Sequence, residues 1–192
     1  READNPLFRK CRGLVPVCRA SAYLFFVRGS GWRRMIHGFK YRGAWRPART
    51  VGEWYGASLR EGGLHDDVDA VVPLPLHPLK RCLRGYNQAE YIAEGIAAQL
   101  GVGLLRGCVV RRRNTPSQAL RPRRERAGNV AGAFAVVRPE RLAGRHVLLV
   151  DDVVTTGSTL LSCAETILAA VPDCRVSIAA LAVSRRELGE EG

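Results

Sequence analysis

Apolar residues follow two patterns along this chain, one typical of strands and the other typical of helices. Apolar runs of strand length lie at 68–76, 103–110, 131–137, 146–152 and 175–183. Segments with helical spacing follow two of them, one at 87–101, which Asn87 caps and Gly101 ends, and one at 158–171. Strands that are apolar on both faces and alternate with helices are typical of a parallel sheet covered on both sides. The pattern therefore predicts an α/β fold.

A different arrangement precedes this alternation. The segment 20–27 is rich in β-favouring aromatic residues and predicts a strand, and the segments 31–41 and 44–63 predict two helices. We therefore divide the chain into an N-terminal flank of strand and helices at 1–62, which forms part of a hood or lid, and a larger domain at 63–192.

Basic residues dominate the charge. The 192 residues include 30 lysines and arginines against 18 aspartates and glutamates, a net charge of +12 that is almost wholly arginine. Arginine suits phosphate, either in a small molecule or in nucleic acid, but a solvated surface that reflects genome composition explains the charge equally well. The basic run at 111–126 contains no aromatic residues of the kind that stack single-stranded bases, and its length predicts a functional or mobile loop.

Cysteine usage and hydropathy indicate the compartment. Six cysteines are scattered without a C-x-x-C pair, which predicts reduced thiols and no zinc site. No apolar run approaches the length of a membrane span, and the first residues lack the pattern of a signal peptide. We expect a cytoplasmic protein without membrane insertion, and further residues upstream of Arg1.

The segment 147–160, VLLVDDVVTTGSTL, carries the clearest chemistry: an apolar strand, two acids and a turn of small hydroxyl residues before a helix. Ligands of open α/β sheets bind beyond the carboxyl ends of strands. A helix start with small side chains favours phosphate, because its N–H groups and its dipole attract an anion. The acids must then address ribose hydroxyls or a hydrated Mg²⁺. The segment predicts a sugar-phosphate site, whereas an Asx-type turn would explain one acid and one hydroxyl only.

The same segment resembles the phosphoribosyl pyrophosphate (PRPP) binding motif of type I phosphoribosyltransferases. Three further segments, at 36–43 (IHGFKYRG), 71–90 (VVPLPLHPLKRCLRGYNQAE) and 115–134 (TPSQALRPRRERAGNVAGAF), resemble the ComF-type branch, phosphoribosyltransferase-like proteins linked to competence and DNA uptake. The similarity runs from about Ala20 to Val183. Members commonly carry an upstream four-cysteine zinc ribbon, which is lacking in this chain.

The resemblance implies a type I phosphoribosyltransferase-like parallel sheet flanked by helices, with the N-terminal flank, a flexible hood loop and a PRPP-binding domain at 63–192. It implies that Asp151 and Asp152 are the catalytic pair, which holds the ribose hydroxyls of PRPP and, through the ligand, Mg²⁺. The other implied positions are the 5-phosphate loop of Thr155, Thr156, Gly157, Ser158 and Thr159, the pyrophosphate segment of Lys80, Arg81 and Arg84, and the hood residues Arg111, Arg112, Arg113, Gln118, Arg123 and Arg126. Such a site stabilises departing pyrophosphate with cations and excludes water on closing.

Two functions stay open on the sequence. One is an enzyme that transfers the phosphoribosyl group from PRPP to a nitrogenous acceptor and releases pyrophosphate. The other is a non-catalytic PRPP- or nucleotide-binding accessory in competence, with single-stranded DNA or the DNA-uptake machinery as partner. No G-x-S-x-G or Cys/His signature supports covalent catalysis. The acceptor base is left open, with Phe39, Tyr41 and Tyr86 as candidates to contact it. The oligomeric state is also left open, although homodimers are common in the family that the chain resembles.

Overall fold

The structure is a computed structural model. It describes residues 5–26, 45–113, 132–154 and 156–184. The predicted helix at 31–41 and most of the predicted loop at 111–126 lie outside the described residues.

Within the described ranges, five parallel strands form the central sheet. They are β1 (Ala20–Phe26), β2 (Ala70–Pro73), β3 (Gly103–Leu104), β6 (His146–Val154) and β7 (Arg175–Ser184). Their order across the sheet is β1-β7-β6-β2-β3. The central strands are apolar on both faces because helices cover both, so the predicted α/β fold with a parallel sheet is confirmed.

The described part of the chain forms five α-helices beside the sheet. They are α1 (Pro6–Arg12), α2 (Trp45–Gly62), α3 (Pro78–Arg84), α4 (Gln88–Leu100) and α5 (Ser158–Ala170). The predicted boundaries of α4 are confirmed: Asn87 is its N-cap, and Gly101 ends it with a φ of 70°. Among the described residues, no helix is both long enough and apolar enough to cross a membrane.

The helices α1 and α3 were not predicted from the sequence. Each has seven residues, too few for an apolar period to stand out. Both carry a proline in the first turn and a side-chain N-cap, from Asn5 in α1 and from His77 in α3. The signals of a helix start were therefore present in the sequence. In α3, however, no residue is buried, so no apolar face marks the helix.

A small antiparallel hairpin of β4 (Val109–Arg111) and β5 (Phe134–Val136) stands apart from the main sheet. The prediction of 103–110 as one strand is wrong, because Gly107 takes a positive φ of 69° and separates β3 from β4. The apolar run at 131–137 supplies β5, which pairs with β4 and does not join the parallel sheet.

The strand of the predicted N-terminal flank belongs to the central sheet. β1 pairs in parallel with β7, from Ala20 opposite Ile178 to Phe26 opposite Ser184. β1 forms one edge of the sheet, where it lies next to β7, the last strand of the described chain. The boundary drawn at residue 62 stays a prediction, but the sheet runs across it.

The two faces of the sheet bury separate apolar clusters. On one face, Ile167 of α5 lies in a cluster with Leu149 and Ile178. On the other face, Ile92 of α4 lies with Tyr55 of α2 and Leu148 of β6 in a second cluster. β6 is therefore one of the strands that both layers cover, and it carries the predicted acid pair.

Close contact between α2 and α4 depends on glycine. A Cβ built on Gly52 would approach the backbone of Ile92, and one built on Gly95 would lie 2.5 Å from the amide nitrogen of Glu53. A Cβ on Gly56 would lie 2.9 Å from Cα of Ile96. Any larger residue at these positions would push the two helices apart.

Polar groups join the amino ends of the strands. His146, which is fully buried, lies 2.8 Å from Oγ of Ser177 through Nε2 and 3.2 Å from Oδ2 of Asp67 through Nδ1. Asp67 also pairs with Arg19 and, at 3.5 Å, with Arg175. The hydrogen bond from Arg19 lowers the pKa of Asp67 to about 2. One carboxylate thus connects the starts of three strands.

A second buried histidine lies near this cluster. Ser21 Oγ lies 2.7 Å from the hydroxyl of Tyr55 and 3.0 Å from Nε2 of His65. His65 is only 1% exposed. Burial, reinforced by the charge of Arg19, lowers the pKa of His65 to about 4, so the ring is neutral in the folded protein near neutral pH.

Candidate functional site

The adjacent aspartates of β6 lie near the carboxyl end of that strand, which continues beyond them to Val154. Both side chains are half-buried. Oδ1 of Asp151 accepts the N–H of Asp152 at 2.8 Å, and Oδ1 of Asp152 accepts the N–H of Val153 at 2.8 Å. One oxygen of each carboxylate is therefore held close to the backbone, which fixes the orientation of both groups.

Asp151 lies on the face of the sheet that α5 covers. Side chains alternate along a strand, so Asp151 shares the face of Leu149, which packs in the cluster of α5. Regular alternation does not continue past the acid pair, because Val153 packs against the cluster of α2 and α4 and Val154 belongs to the cluster of α5. Asp151 therefore faces the side on which the hairpin and α5 lie.

The small-residue turn leads directly into α5. Gly157 is the N-cap, with a φ of 81° that favours glycine, and it has no side chain to accept a bond from the first-turn N–H groups. Thr156 Oγ1 lies 2.9 Å from Ser158 Oγ, and Thr159 follows in the first turn. Oγ1 of Thr156 also accepts a long hydrogen bond from the N–H of Ser158, at 3.5 Å. The N–H groups of a helix start and the helix dipole favour an anion beside the aspartates. Thr155 lies outside the described residues.

The predicted pyrophosphate segment forms α3. Arg81 makes a two-pronged ion pair with Glu90, at 3.0 and 3.3 Å, and Arg84 donates to Oε1 of Gln88 at 3.4 Å. Lys80 lies half-buried on the same helix. Arg81 is thus already engaged by a carboxylate, whereas the contact of Arg84 is with a neutral amide.

Asn87 positions α3 and α4 against the sheet. Its Nδ2 donates to the carbonyl of Leu74 at 3.0 Å, and its Oδ1 accepts the N–H of Ala89 at 3.3 Å. Leu74 in turn donates its N–H to the carbonyl of Val150 at 2.8 Å. Because Val150 directly precedes the acid pair, this chain of bonds brings the segment after β2 next to the aspartates.

Arg111, the first of the predicted hood residues, stacks on an aromatic ring. Its guanidinium carbon lies 5.5 Å from the ring centroid of Phe134, its partner across the hairpin. Burial lowers the pKa of Arg111, and the charge of Asp151 opposes that effect, so the two groups lie within electrostatic range. Arg112 and Arg113 are exposed. Gln118, Arg123 and Arg126 lie outside the described residues.

Sequence reasoning missed an aromatic cluster beside α3. Tyr86, which was a candidate contact for the acceptor base, packs edge-on against Tyr91 at 5.7 Å. Tyr91 lies 5.5 Å from Trp45, and the guanidinium of Arg46 lies 5.1 Å over the Trp45 ring. The rings come from α2, from α4 and from the turn before α4, so no local motif brings them together. Phe39 and Tyr41, the other candidates, lie outside the described residues.

The acid pair suits a hard divalent cation, because carboxylate oxygens are ligands that Mg²⁺ prefers. Within the described ranges, no group of three or more His, Cys, Asp or Glu side chains is arranged to hold a metal. Asp151 and Asp152 alone would leave most of the coordination shell of Mg²⁺ to water and to oxygens of a bound phosphate ligand.

Comparison with known families identifies the class to which this fold and site belong. The phosphoribosyl transferase domain family matches residues 87–191, which include the acid pair and the start of α5. This match covers more than half of the chain. The chain belongs to the phosphoribosyl transferase domain family, and the expected type I phosphoribosyltransferase fold is confirmed.

Among curated proteins, the chain is similar to competence protein F of Haemophilus influenzae, with 31% identity over 130 residues, 66% of this chain and 57% of that protein. It is also similar to the DNA utilization protein YhgH of Escherichia coli, with 35% identity over 100 residues, 52% of this chain and 43% of that protein. These relatives confirm the ComF-type resemblance. The chain spans about half the length of the curated relatives it matches.

One solved structure with a similar arrangement is adenine phosphoribosyltransferase from Saccharomyces cerevisiae, crystallised with an imino-altritol bisphosphate and adenine. Its TM-score is 0.47 at 17% sequence identity, over 79% of this chain and 75% of that one.

Proposed function

We propose that this chain binds PRPP together with Mg²⁺ and transfers the phosphoribosyl group to a nitrogenous acceptor. In this reaction the bond between ribose C1 and a pyrophosphate oxygen breaks, a bond between C1 and the acceptor nitrogen forms, and the acceptor loses a proton to solvent. The observation that carries the proposal is the acid pair of β6, followed after a short turn by the Gly157-capped start of α5.

Each part of PRPP has a chemical counterpart in this arrangement. Carboxylates accept hydrogen bonds from ribose hydroxyls, and Asp151 and Asp152 are each held in position by a backbone N–H. The start of α5 suits the 5-phosphate. On α3, Lys80 and Arg84 suit the pyrophosphate, whereas Arg81 would first have to leave Glu90.

Mg²⁺, when bound with PRPP, would offset the negative charge that develops on the departing pyrophosphate. The chain itself would bind the ribose and the phosphates and hold C1 in line with the acceptor nitrogen. The family resemblance assigns water exclusion to a hood loop, whose residues after Arg113 lie outside the described part. A transfer of this type is served by positioning and electrostatics, with no covalent bond to the protein.

Calorimetric titration of PRPP with Mg²⁺ tests the proposal. The wild-type chain should bind, and the double variant Asp151→Asn, Asp152→Asn should lose at least about tenfold in affinity, since two charge-assisted contacts weaken. Asp173→Asn, which changes an exposed aspartate in the turn after α5, is the matched control and should bind as the wild type does. Pyrophosphate release with a panel of nitrogenous acceptors then tests transfer. No binding by the wild-type chain would refute the proposal.

A second candidate is a non-catalytic accessory in competence that meets single-stranded DNA. The names of the relatives refer to competence and DNA utilization. In addition, α2 exposes Trp54 to 55% and Trp45 to 39%, with Arg46 over the second ring, and such surfaces suit stacked bases. Fluorescence anisotropy with labelled oligothymidylate distinguishes the accessory function from the enzymatic function. Salt-sensitive binding that persists at saturating PRPP would favour the accessory; absent or fully competed binding would favour the enzyme.

A further inference from the structure

The short helix α3 is not fixed by an apolar core. None of its residues is buried, so packing of its own side chains does not determine how its cations are presented. Gly85 ends the helix with a φ of 80°, and its N–H donates to the carbonyl of Arg81. The chain turns at this left-handed position, and α4 begins shortly afterwards at Gln88. Contacts with α4 must therefore orient the cations of α3.

Two arginines of α3 contact the first turn of α4, and their partners differ in charge. Arg81 makes its two-pronged ion pair with Glu90, at 3.0 and 3.3 Å. Nη1 of Arg84 donates to Oε1 of Gln88 at 3.4 Å. A carboxylate offsets the charge of the guanidinium that it holds. An amide is a neutral acceptor, so it orients a guanidinium and leaves the positive charge available to an anion.

The amide of Gln88 is itself held in place. Gln88 is only 2% exposed, which leaves its side chain few orientations. The preceding residue, Asn87, donates from Nδ2 to the carbonyl of Leu74 at 3.0 Å, and the N–H of Leu74 donates to the carbonyl of Val150 at 2.8 Å. The acceptor that Arg84 contacts is therefore tied to the strand that carries the acid pair.

We propose that Gln88 is a positioning residue, which orients the guanidinium of Arg84 so that Arg84 is the arginine of α3 that binds the pyrophosphate group. This inference rests on the proposed function, because it concerns the pyrophosphate part of the same site. An arginine that is oriented before the ligand arrives loses less side-chain freedom on binding. Arg81, in contrast, fastens α3 to α4 through Glu90, and its charge is already offset.

Calorimetric titration with two separate probes tests this role: pyrophosphate with Mg²⁺, and ribose 5-phosphate, which lacks the pyrophosphate group. Gln88→Met keeps the length of the side chain and removes the acceptor. It should bind pyrophosphate about threefold more weakly, because the side chain of Arg84 must then be ordered on binding. Gln88→Glu places a carboxylate beside Arg84 and should weaken pyrophosphate binding by about tenfold, because the new charge pairs with Arg84 and repels the anion.

The control for a general effect is built into the second probe and a second glutamine. The affinity for ribose 5-phosphate should stay within about twofold of the wild type in both Gln88 variants, since separate sites contribute independently. Gln99→Glu makes the same change at the other end of α4, where the side chain is half-buried, and should leave both affinities unchanged. Circular dichroism confirms that each variant is folded, and either folded Gln88 variant decides the question.

A double-mutant cycle shows whether Gln88 acts through Arg84. In an Arg84→Met background, Gln88→Met should cause no further loss of pyrophosphate affinity, since the guanidinium that it orients is gone. A full loss in that background would overturn the inference. Equal weakening of both probes by the Gln88 variants would also overturn it, because such a result indicates a structural role.

Failure of this inference differs from failure of the proposed function. If the wild-type chain binds PRPP, and the Gln88 variants bind pyrophosphate as the wild type does, this inference alone is refuted. If pyrophosphate binding depends on Gln88 and Arg84 as expected, but PRPP does not bind, the proposed function alone is refuted. A wild-type chain that binds neither ligand refutes both.

Discussion

Gly52 is the position at which one added methyl group should separate α2 from α4. A Cβ there would meet three backbone atoms of Ile92, with its Cα at 2.9 Å and its carbonyl carbon at 3.0 Å. Backbone atoms cannot rotate aside as the end of a side chain can, so the whole of α4 would have to shift. Gly62, at the end of the same helix, has open space where its Cβ would lie. Gly62→Ala is therefore the matched control for Gly52→Ala.

The two substitutions should change the free energy of unfolding in opposite directions. In a helix, alanine is more stable than glycine by up to about 1 kcal/mol, and by less at the last position. Overpacking costs about 1 to 3 kcal/mol and reaches the upper end or beyond when the neighbours are backbone. We expect Gly52→Ala to lower the free energy of unfolding by about 2 kcal/mol, after the helix gain is subtracted. We expect Gly62→Ala to raise it by about 0.5 kcal/mol.

Urea titration followed by far-ultraviolet circular dichroism measures both values. A loss of about 2 kcal/mol corresponds to a melting temperature lower by roughly 4 to 8 °C for a domain of this size. The urea concentration at the midpoint of unfolding should shift. The dependence of the unfolding free energy on urea concentration should stay constant, because the surface exposed on unfolding does not change. A Gly52→Ala variant as stable as the wild type would refute the close approach of α2 to the backbone of α4.

Two further predictions concern buried polar groups. The pKa of His65 is lowered to about 4, against about 6.5 in an unfolded chain, so the unfolded state binds more protons between these values and stability falls as the pH drops from 6.5 to 4. His65→Gln should therefore lose about 3 kcal/mol less than the wild type between pH 7 and pH 4 in urea titrations, and parallel losses would contradict this. Asn87→Ala should lower the free energy of unfolding by about 1 to 2 kcal/mol, because the cap of α4 and the bond to Leu74 both disappear, whereas Asn87→Asp should keep the cap and lose less. Equal losses for the two Asn87 variants in the same titration would mean that the cap contributes nothing.

The parts of the fold that sequence predicts well are those with a local cause. The strand β6 is apolar on both faces because both layers bury it, and this leaves a continuous apolar run up to Asp151. Asn87 and Gly101 delimit α4 through bonds to residues a few positions away. The acid pair and the small-residue turn are likewise adjacent in sequence, so their proximity needs no tertiary information.

The parts that sequence reasoning missed depend on distant segments. The stacking of Arg111 on Phe134 requires the hairpin that joins two segments on either side of the basic run, and no local period indicates that pairing. Arg81 resembles a free cation in the sequence, but Glu90 on the next helix engages it. The clustering of Trp45 with Tyr91 likewise depends on the packing of α2 on α4. In each case the contact depends on a partner residue whose position in space cannot be read from the sequence.

The position of β1 constrains the order in which the chain can assemble. β1 is the first strand, yet its sole neighbour in the described sheet is β7, the last, and β7 itself lies between β1 and β6. During synthesis β1 therefore has no strand to pair with until β7 has left the ribosome, and closing so long a loop slows folding more than it lowers final stability. Until then the aromatic residues of β1 stay without their neighbouring strand, and an unpaired strand of this kind is prone to aggregation.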